Sequence, residues 1–242
     1  HEVPGFELPG LRVSAQIDLE QILVVGRNVV ARRPGTGSPE LGTIVVGAHL
    51  DHLGRGTGNG SLATQEERGQ IHPGADDNAS GVAAMLEIAR SLGSLGLARP
   101  VVFGAWSGEE SGLLGSSHYV NQVAPASPHA PSASSPRAIA AYLNMDMIGR
   151  HEEVPSDGRG RFRGLAAQSA ESNSNATNIL GYSRTPELAA IVETANRFDL
   201  TLRMRYDNNE SNLLRRSDHW PFLQNDVPAV WIHNGLHPDY HT

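Results

Sequence analysis

Two residues with metal-binding side chains stand two positions apart at the end of an apolar run. Ile44-Val45-Val46-Gly47-Ala48 leads into His49-Leu50-Asp51-His52. Side chains at i and i+2 of a strand project to one side. His49 and Asp51 can therefore meet, and a carboxylate beside an imidazole fixes its tautomer and orientation. Further along, Asp76 and Asp77 precede a helical pattern, Glu109 and Glu110 follow a second apolar run, and Asp146 closes a third. One acid at a strand end is ordinary capping chemistry. An imidazole and several carboxylates at successive strand ends form a nitrogen-and-oxygen donor set for a divalent cation. Burying that much negative charge without a cation costs several kcal/mol per ion. The pattern predicts that His49 binds a metal, that Asp51 holds His49 in place, and that acids from other strand ends complete the site.

The elements that must carry these residues follow from periodicity. Residues 23–33 alternate as a strand, 34–41 turn, and a strand follows over 43–48, so the two predict a hairpin. Residues 53–75 form a Gly-rich polar loop of a length that is usually functional. The clearest helix covers 80–93, with Val82, Met85, Leu86, Ala89 and Leu92 on one face, Asn78 or Ser80 as its cap, and Gly93 or Gly96 at its end. Then come a buried strand over 100–106, a helix over 111–123, a strand over 138–143, a further strand over 162–167 and a helix over 186–198 with Pro186 in its first turn. A short helix follows Asp218, and a last strand covers 228–233. Residues 124–136 read as a Pro/Ser/Ala surface loop, and 169–183 show no period. Alternating strands and helices predict an α/β fold: a three-layer α/β/α sandwich with a mostly parallel, mixed central sheet and ligands at the carboxyl ends of its strands.

Composition sets further limits. The 242 residues suit one domain, with residues 1–20 as an N-terminal arm. A net charge of -7 argues against a nucleic-acid partner. No run of eighteen apolar residues predicts a membrane span. With no Cys there are no disulfides, thiolate zinc sites or Cys nucleophiles. Every basic residue other than histidine is Arg, which excludes Walker-type phosphate loops and Schiff-base chemistry, since both need Lys. The chain opens at His1 without a signal-peptide pattern, so it reads as processed or cut from something longer.

Five motifs, taken together, resemble the di-zinc aminopeptidases of metallopeptidase family twenty-eight. They are Gly-Ala-His-Leu-Asp-His (47–52), Pro-Gly-Ala-Asp-Asp-Asn-Ala-Ser-Gly (73–81), Ser-Gly-Glu-Glu-Ser-Gly-Leu-Leu-Gly-Ser (107–116), Asn-Met-Asp-Met (144–147) and Pro-Asp-Tyr-His-Thr (238–242). The resemblance implies that Asp77 bridges two zinc ions, that His49 and Asp146 complete one, and that Glu110 and His241 complete the other. It implies Glu109 as general base and then acid, Asp51 as the partner of His49, and peptides with a free N-terminus as substrates. It also implies a secreted or periplasmic enzyme. His241 rests on the resemblance alone, since composition cannot single it out from eleven histidines.

Some relatives place an oxyanion-stabilising Tyr just before the Ser-Asp-His segment. Here Leu213-Leu214-Arg215-Arg216 stands there, leaving Arg215, Arg216 or His219 as substitutes, while Tyr206 is too distant in sequence to assign. Relatives continue past the terminal His-Thr, so a truncated C-terminal end is expected. His52 is expected to pack near the site as a loop residue, and His72, His118, His129 and His151 to be surface groups. Trp220 and Phe222 read either as pocket walls or as core, and Met145 and Met147 as core or pocket lining. A mono-zinc acyltransferase of the glutaminyl-cyclase type and a non-catalytic receptor-like relative are the competing readings. Ser217-Asp218-His219 has the residue types of a serine-hydrolase triad, but a triad needs convergence in space rather than adjacency, and the chain has no Gly-x-Ser-x-Gly elbow.

Overall fold

A computed structural model describes residues 9–10, 12, 14–19, 23–56, 60–123 and 139–242. Seven strands form one mixed sheet: β1 Val29–Arg33, β2 Thr43–His49, β3 Val101–Trp106, β4 Ile139–Met145, β5 Ala176–Leu180, β6 Thr201–Arg203 and β7 Ala229–His233. Their spatial order is β1-β3-β2-β4-β7-β5-β6. The central run β3-β2-β4-β7 is parallel, as is β5 with β6, whereas β1 lies antiparallel on β3 and β5 antiparallel on β7.

Four helices, α1 Gly81–Leu92, α2 Leu114–Val123, α3 Pro186–Ala195 and α4 His219–Gln224, cover the two faces. Alternation along the strands divides the apolar residues between them. Val45, Val102, Trp106, Tyr142 and Ala229 face Val120 of α2 and Phe222 of α4. Val46, Phe103, Ala105 and Met145 face Met85 of α1, while Ala141, Ile179 and Val230 face Leu188 of α3. This is the expected three-layer sandwich. Phe222 is fully buried and stacks on Tyr142 at 3.9 Å between ring centres. Gly47 makes room for that cluster. A Cβ there would come within 2.6 Å of Trp106 Nε1 and 2.7 Å of the Tyr142 hydroxyl, which bond to each other at 2.8 Å.

The elements depart from the sequence reading in a few places. β1 and β2 do not form a hairpin: β3 inserts between them, and β1 takes the sheet edge. The apolar run over 23–33 therefore becomes a strand only from Val29 onward. The buried face of α1 includes Ala84 and Ile88, and Leu86 stands 61% exposed. Residues 162–167 are not a strand. Phe162 ends a single helical turn, Gly160–Phe162, and Gly160 and Gly164 have φ of +57° and +77°, which break extension on either side. α2 starts at Leu114, after a turn over 109–113. β5 and β6 carry no sequence signal. Asn178 interrupts β5, yet its side chain is buried and bonded to Glu152 and Arg205. The loop expected over 124–136 lies outside the described residues, as do residues 1–8, 11, 13 and 20 of the arm.

Candidate metal centre

The carboxyl ends of β2, β3 and β4 lie side by side, and the start of α1 meets them there. Asn78 joins α1 to β4. Its Nδ2 donates to the Met145 carbonyl at 3.0 Å and its Oδ1 accepts the Gly81 N–H at 3.0 Å. Gly81 is needed for this approach, because a Cβ would sit 2.3 Å from both Asn78 Oδ1 and the Met145 carbonyl oxygen. The joint sets Asp77 against Asp146.

Two donor groups result. His49, Asp77 and Asp146 converge in the first, all buried. His49 Nε2 is 3.0 Å from Asp77 Oδ1 and 3.4 Å from Asp146 Oδ1. In the second, His241 Nε2 is 3.1 Å from Asp77 Oδ2 and 3.3 Å from Glu110 Oε2. Asp77 thus gives one oxygen to each group. His49 Nε2 and Asp146 Oδ1 are buried yet make no hydrogen bond, because the close atoms are not aligned for one. A tetrahedral zinc ion with bonds near 2.1 Å spaces its donors roughly 3.4 Å apart, so orphaned donors at these separations fit such an ion.

Neighbouring groups fix the orientation of the donors. His49 Nδ1–H donates to the Asp51 main-chain carbonyl at 2.9 Å. The expected role of Asp51 is therefore filled by its backbone. The chain turns after β2 and brings the carbonyl under the ring, while Asp51 Oδ1 reaches the Glu109 N–H at 3.4 Å. Asp146 Oδ2 accepts from Ser217 Oγ at 2.5 Å, which in turn accepts from Asn144 Nδ2 at 2.6 Å. Trp231 Nε1 and His233 Nδ1 each donate to the Asp146 carbonyl at 3.0 Å. Asp76 joins neither donor group. It accepts the Gly149 N–H at 2.6 Å and meets His237 Nε2 at 3.1 Å, tying together the segments that carry Asp77, Asp146 and His241.

Charge is concentrated here. Burial pushes the Glu109 carboxyl well above its usual range; the His49 charge opposes this, and Asp146, Asp218 and Glu110 reinforce it. Burial alone would lower His49, but the charges of Asp146 and Glu109 outweigh it and hold the ring well above its usual value. His241 is likewise raised, to about 9, against burial, by bonds to Asp77 and Glu110. Asp218, fully buried and bonded to Ser116 Oγ at 2.5 Å, is raised to about 7 by burial.

The structure therefore brings His49, Asp77, Glu110, Asp146 and His241 together, with Glu109 lining the same cavity of about 240 Å³. Other residues fall differently from expectation. His52 is bonded to Glu110 Oε1 at 2.8 Å through Nδ1, closer to the centre than a packing residue. His72 is buried, with Nε2 2.9 Å from Ser61 Oγ, and is not a surface group. Of the alternatives left open, Phe222 takes the core one, and Met147 is both buried core and cavity lining. Tyr206 donates to Glu152 at 2.8 Å, away from the donors. His219 is fully buried and outside the cavity lining, its pKa lowered to about 3 by burial. Tyr240 does line the cavity, stacked on His241 at 3.7 Å; its place beside His241 in sequence was the available signal.

The profile of peptidase family M28 matches residues 28–242. The chain belongs to that family. An aminopeptidase of Pseudomonas aeruginosa is 36% identical over 143 residues, 59% of this chain and 22% of that one. The chain thus spans about a fifth of the length of this curated relative. Among solved structures, BSAP, a zinc aminopeptidase from Bacillus subtilis, superposes with a TM-score of 0.54 at 23% identity, over 89% of this chain and 43% of that chain. A glutaminyl cyclase from Porphyromonas gingivalis gives 0.54 at 21% identity, over 86% and 62%. At such identities the likeness is one of fold, shared by both chemistries.

Proposed function

We propose that this M28 domain is a two-zinc aminopeptidase that removes N-terminal residues from peptides. The observation that carries the reading is Asp77, whose Oδ1 faces the orphaned His49 Nε2 while its Oδ2 faces His241 Nε2. His49, Asp77 and Asp146 would hold one ion; Asp77, Glu110 and His241 would hold the other. Zinc in these groups supplies Lewis-acid polarisation of the scissile carbonyl and eases deprotonation of the attacking water.

The chain's own groups do the rest. Glu109 lies in the cavity but outside both donor groups, and no hydrogen bond engages its carboxylate among the described residues. It accepts the proton of the attacking water and returns it to the leaving amine. The Tyr240 hydroxyl serves as the donor for the developing oxyanion, the place left open by Leu214 and its neighbours. The free substrate N-terminus would sit against a zinc ion and the carboxylates that line the cavity. Action outside the cytoplasm is part of the proposal and rests on family resemblance. Among the described residues, no helix is long and apolar enough to cross a membrane.

The test is hydrolysis of leucine p-nitroanilide by the zinc-loaded chain, abolished by a chelator and restored by zinc. Cyclisation of an N-terminal glutaminyl peptide without nitroanilide hydrolysis would favour the acyltransferase instead.

A further inference from the structure

Beyond the donor residues, the cavity has an apolar floor and a cationic rim. Met147, Leu213, Trp231 and Leu236 line the floor, each 3% exposed or less. Arg215 and Arg216 line the rim and are exposed. Among the described residues that line the cavity they are the only permanent cations. Arg90, Arg150, Arg163 and Arg205 each meet an acid, but among the described residues neither rim arginine does.

The rim is not a loose loop. Leu213 and Leu214 are buried just before it, and Ser217, Asp218 and His219 are fully buried just after. The Arg215 guanidinium stacks over the Trp220 ring at 5.0 Å. Ser217, the next residue after the pair, holds Asp146. The backbone of both arginines is thus anchored beside the segment that holds Asp146, the Arg215 fork is stacked, and among the described residues no acid pairs with either.

The apolar floor suits an apolar first side chain, and the arginine rim is then the surface left for the leaving side of the peptide. We infer that Arg215 and Arg216 bind a substrate carboxylate on that side, so that the favoured substrates are peptides with an acidic second residue or dipeptides bearing their own terminal carboxylate. This rests on the aminopeptidase reading and deepens it. A planar guanidinium pairs with a carboxylate bidentately, and such charge-assisted bonds are the strong ones.

The experiment compares three zinc-enzyme substrates: Leu-Gln-amide, which carries no carboxylate; Leu-Glu-amide, with one on the side chain; and Leu-Gln, with one at the C-terminus. Leucine p-nitroanilide is the control. Wild type is expected to favour at least one acid over the neutral amide by about tenfold or more in kcat/KM, the size of one charge-assisted contact. Which acid gains identifies the source of the carboxylate. The gain should lie in KM, because the contact is the same in ground and transition states. The double variant Arg215→Gln/Arg216→Gln should bring all three substrates to within about twofold and leave the nitroanilide rate near wild type. Arg216→Lys should keep part of the preference. Binding of an uncleavable reduced-bond Leu-Glu-amide analogue, followed by calorimetry, should weaken in the double variant in parallel. Equal rates on acid and amide by wild type would overturn the inference. An equal loss on every substrate, the nitroanilide included, would also overturn it, assigning the arginines to the reaction or the fold. If wild type cannot cleave the nitroanilide at all, the peptidase reading falls and this inference falls with it.

Discussion

Replacing Glu109 by Gln isolates proton transfer from metal binding. The side chain is 8% exposed and buried among Asp146, Asp218 and Glu110, whose charges and burial raise its pKa. Gln keeps its volume and cannot ionise among these acids. The zinc-free variant should therefore melt at the same temperature as wild type or higher. Because Glu109 belongs to neither donor group, zinc content per chain should not change. A general base and acid contributes about 10² to 10⁴ in rate, so kcat on leucine p-nitroanilide should fall by that factor while KM stays within a few-fold. The assay is steady-state kinetics paired with atomic emission for zinc on the same sample. A rate within threefold of wild type would remove Glu109 from the chemistry. A low rate accompanied by loss of zinc would make it a ligand instead.

Three further outcomes test the surroundings. His241 lies within 3.3 Å of both Asp77 and Glu110, whereas His52 lies 2.8 Å from Glu110 but 3.9 Å from Asp77. His241→Ala should therefore lose one zinc per chain, and His52→Ala should keep two with weaker retention against a chelator; the reverse pattern would exchange their roles. Tyr240→Phe should lower kcat by about 10² with zinc retained, as loss of one oxyanion donor does; an unchanged kcat would leave the oxyanion to another group. Asp218 titrates near 7 in the fold against an ordinary value of 3.8, so the folded chain binds the extra proton and is stabilised by it at low pH. That stabilisation declines as pH rises from about 4 to about 7. Urea midpoints of the zinc-free wild type should fall across this window, and those of Asp218→Asn should fall less; parallel curves would show that Asp218 is not the group responsible.

Much of the scaffold was legible because its parallel strands are apolar on both faces and end in acids. β2, β3, β4 and β7 were visible as apolar runs and the helices by their 3.6 period or capping, while the polar residues at the ends of β2, β3 and β4 and before α1 drew attention to His49, Asp77, Glu109, Glu110 and Asp146. The rest depended on contacts distant in sequence. β5 contains Asn178, whose polarity is satisfied only by Glu152 and Arg205. β1 reads as a hairpin partner of β2 because no local signal reports that β3 pairs between them. His241 reaches Asp77 across 164 residues, a meeting that no period encodes. The backbone role of Asp51 was hidden for another reason: i and i+2 spacing predicts side-chain geometry, and the chain has already left the strand at that point.

The central claim is that Asp77 lies between two cations, one beside His49 and Asp146 and one beside Glu110 and His241. The most direct measurement is anomalous diffraction at the zinc edge from crystals grown with zinc. Two peaks per chain are expected, about 3.5 Å to 4 Å apart, on opposite oxygens of Asp77. A single peak, or peaks away from these five side chains, would contradict it.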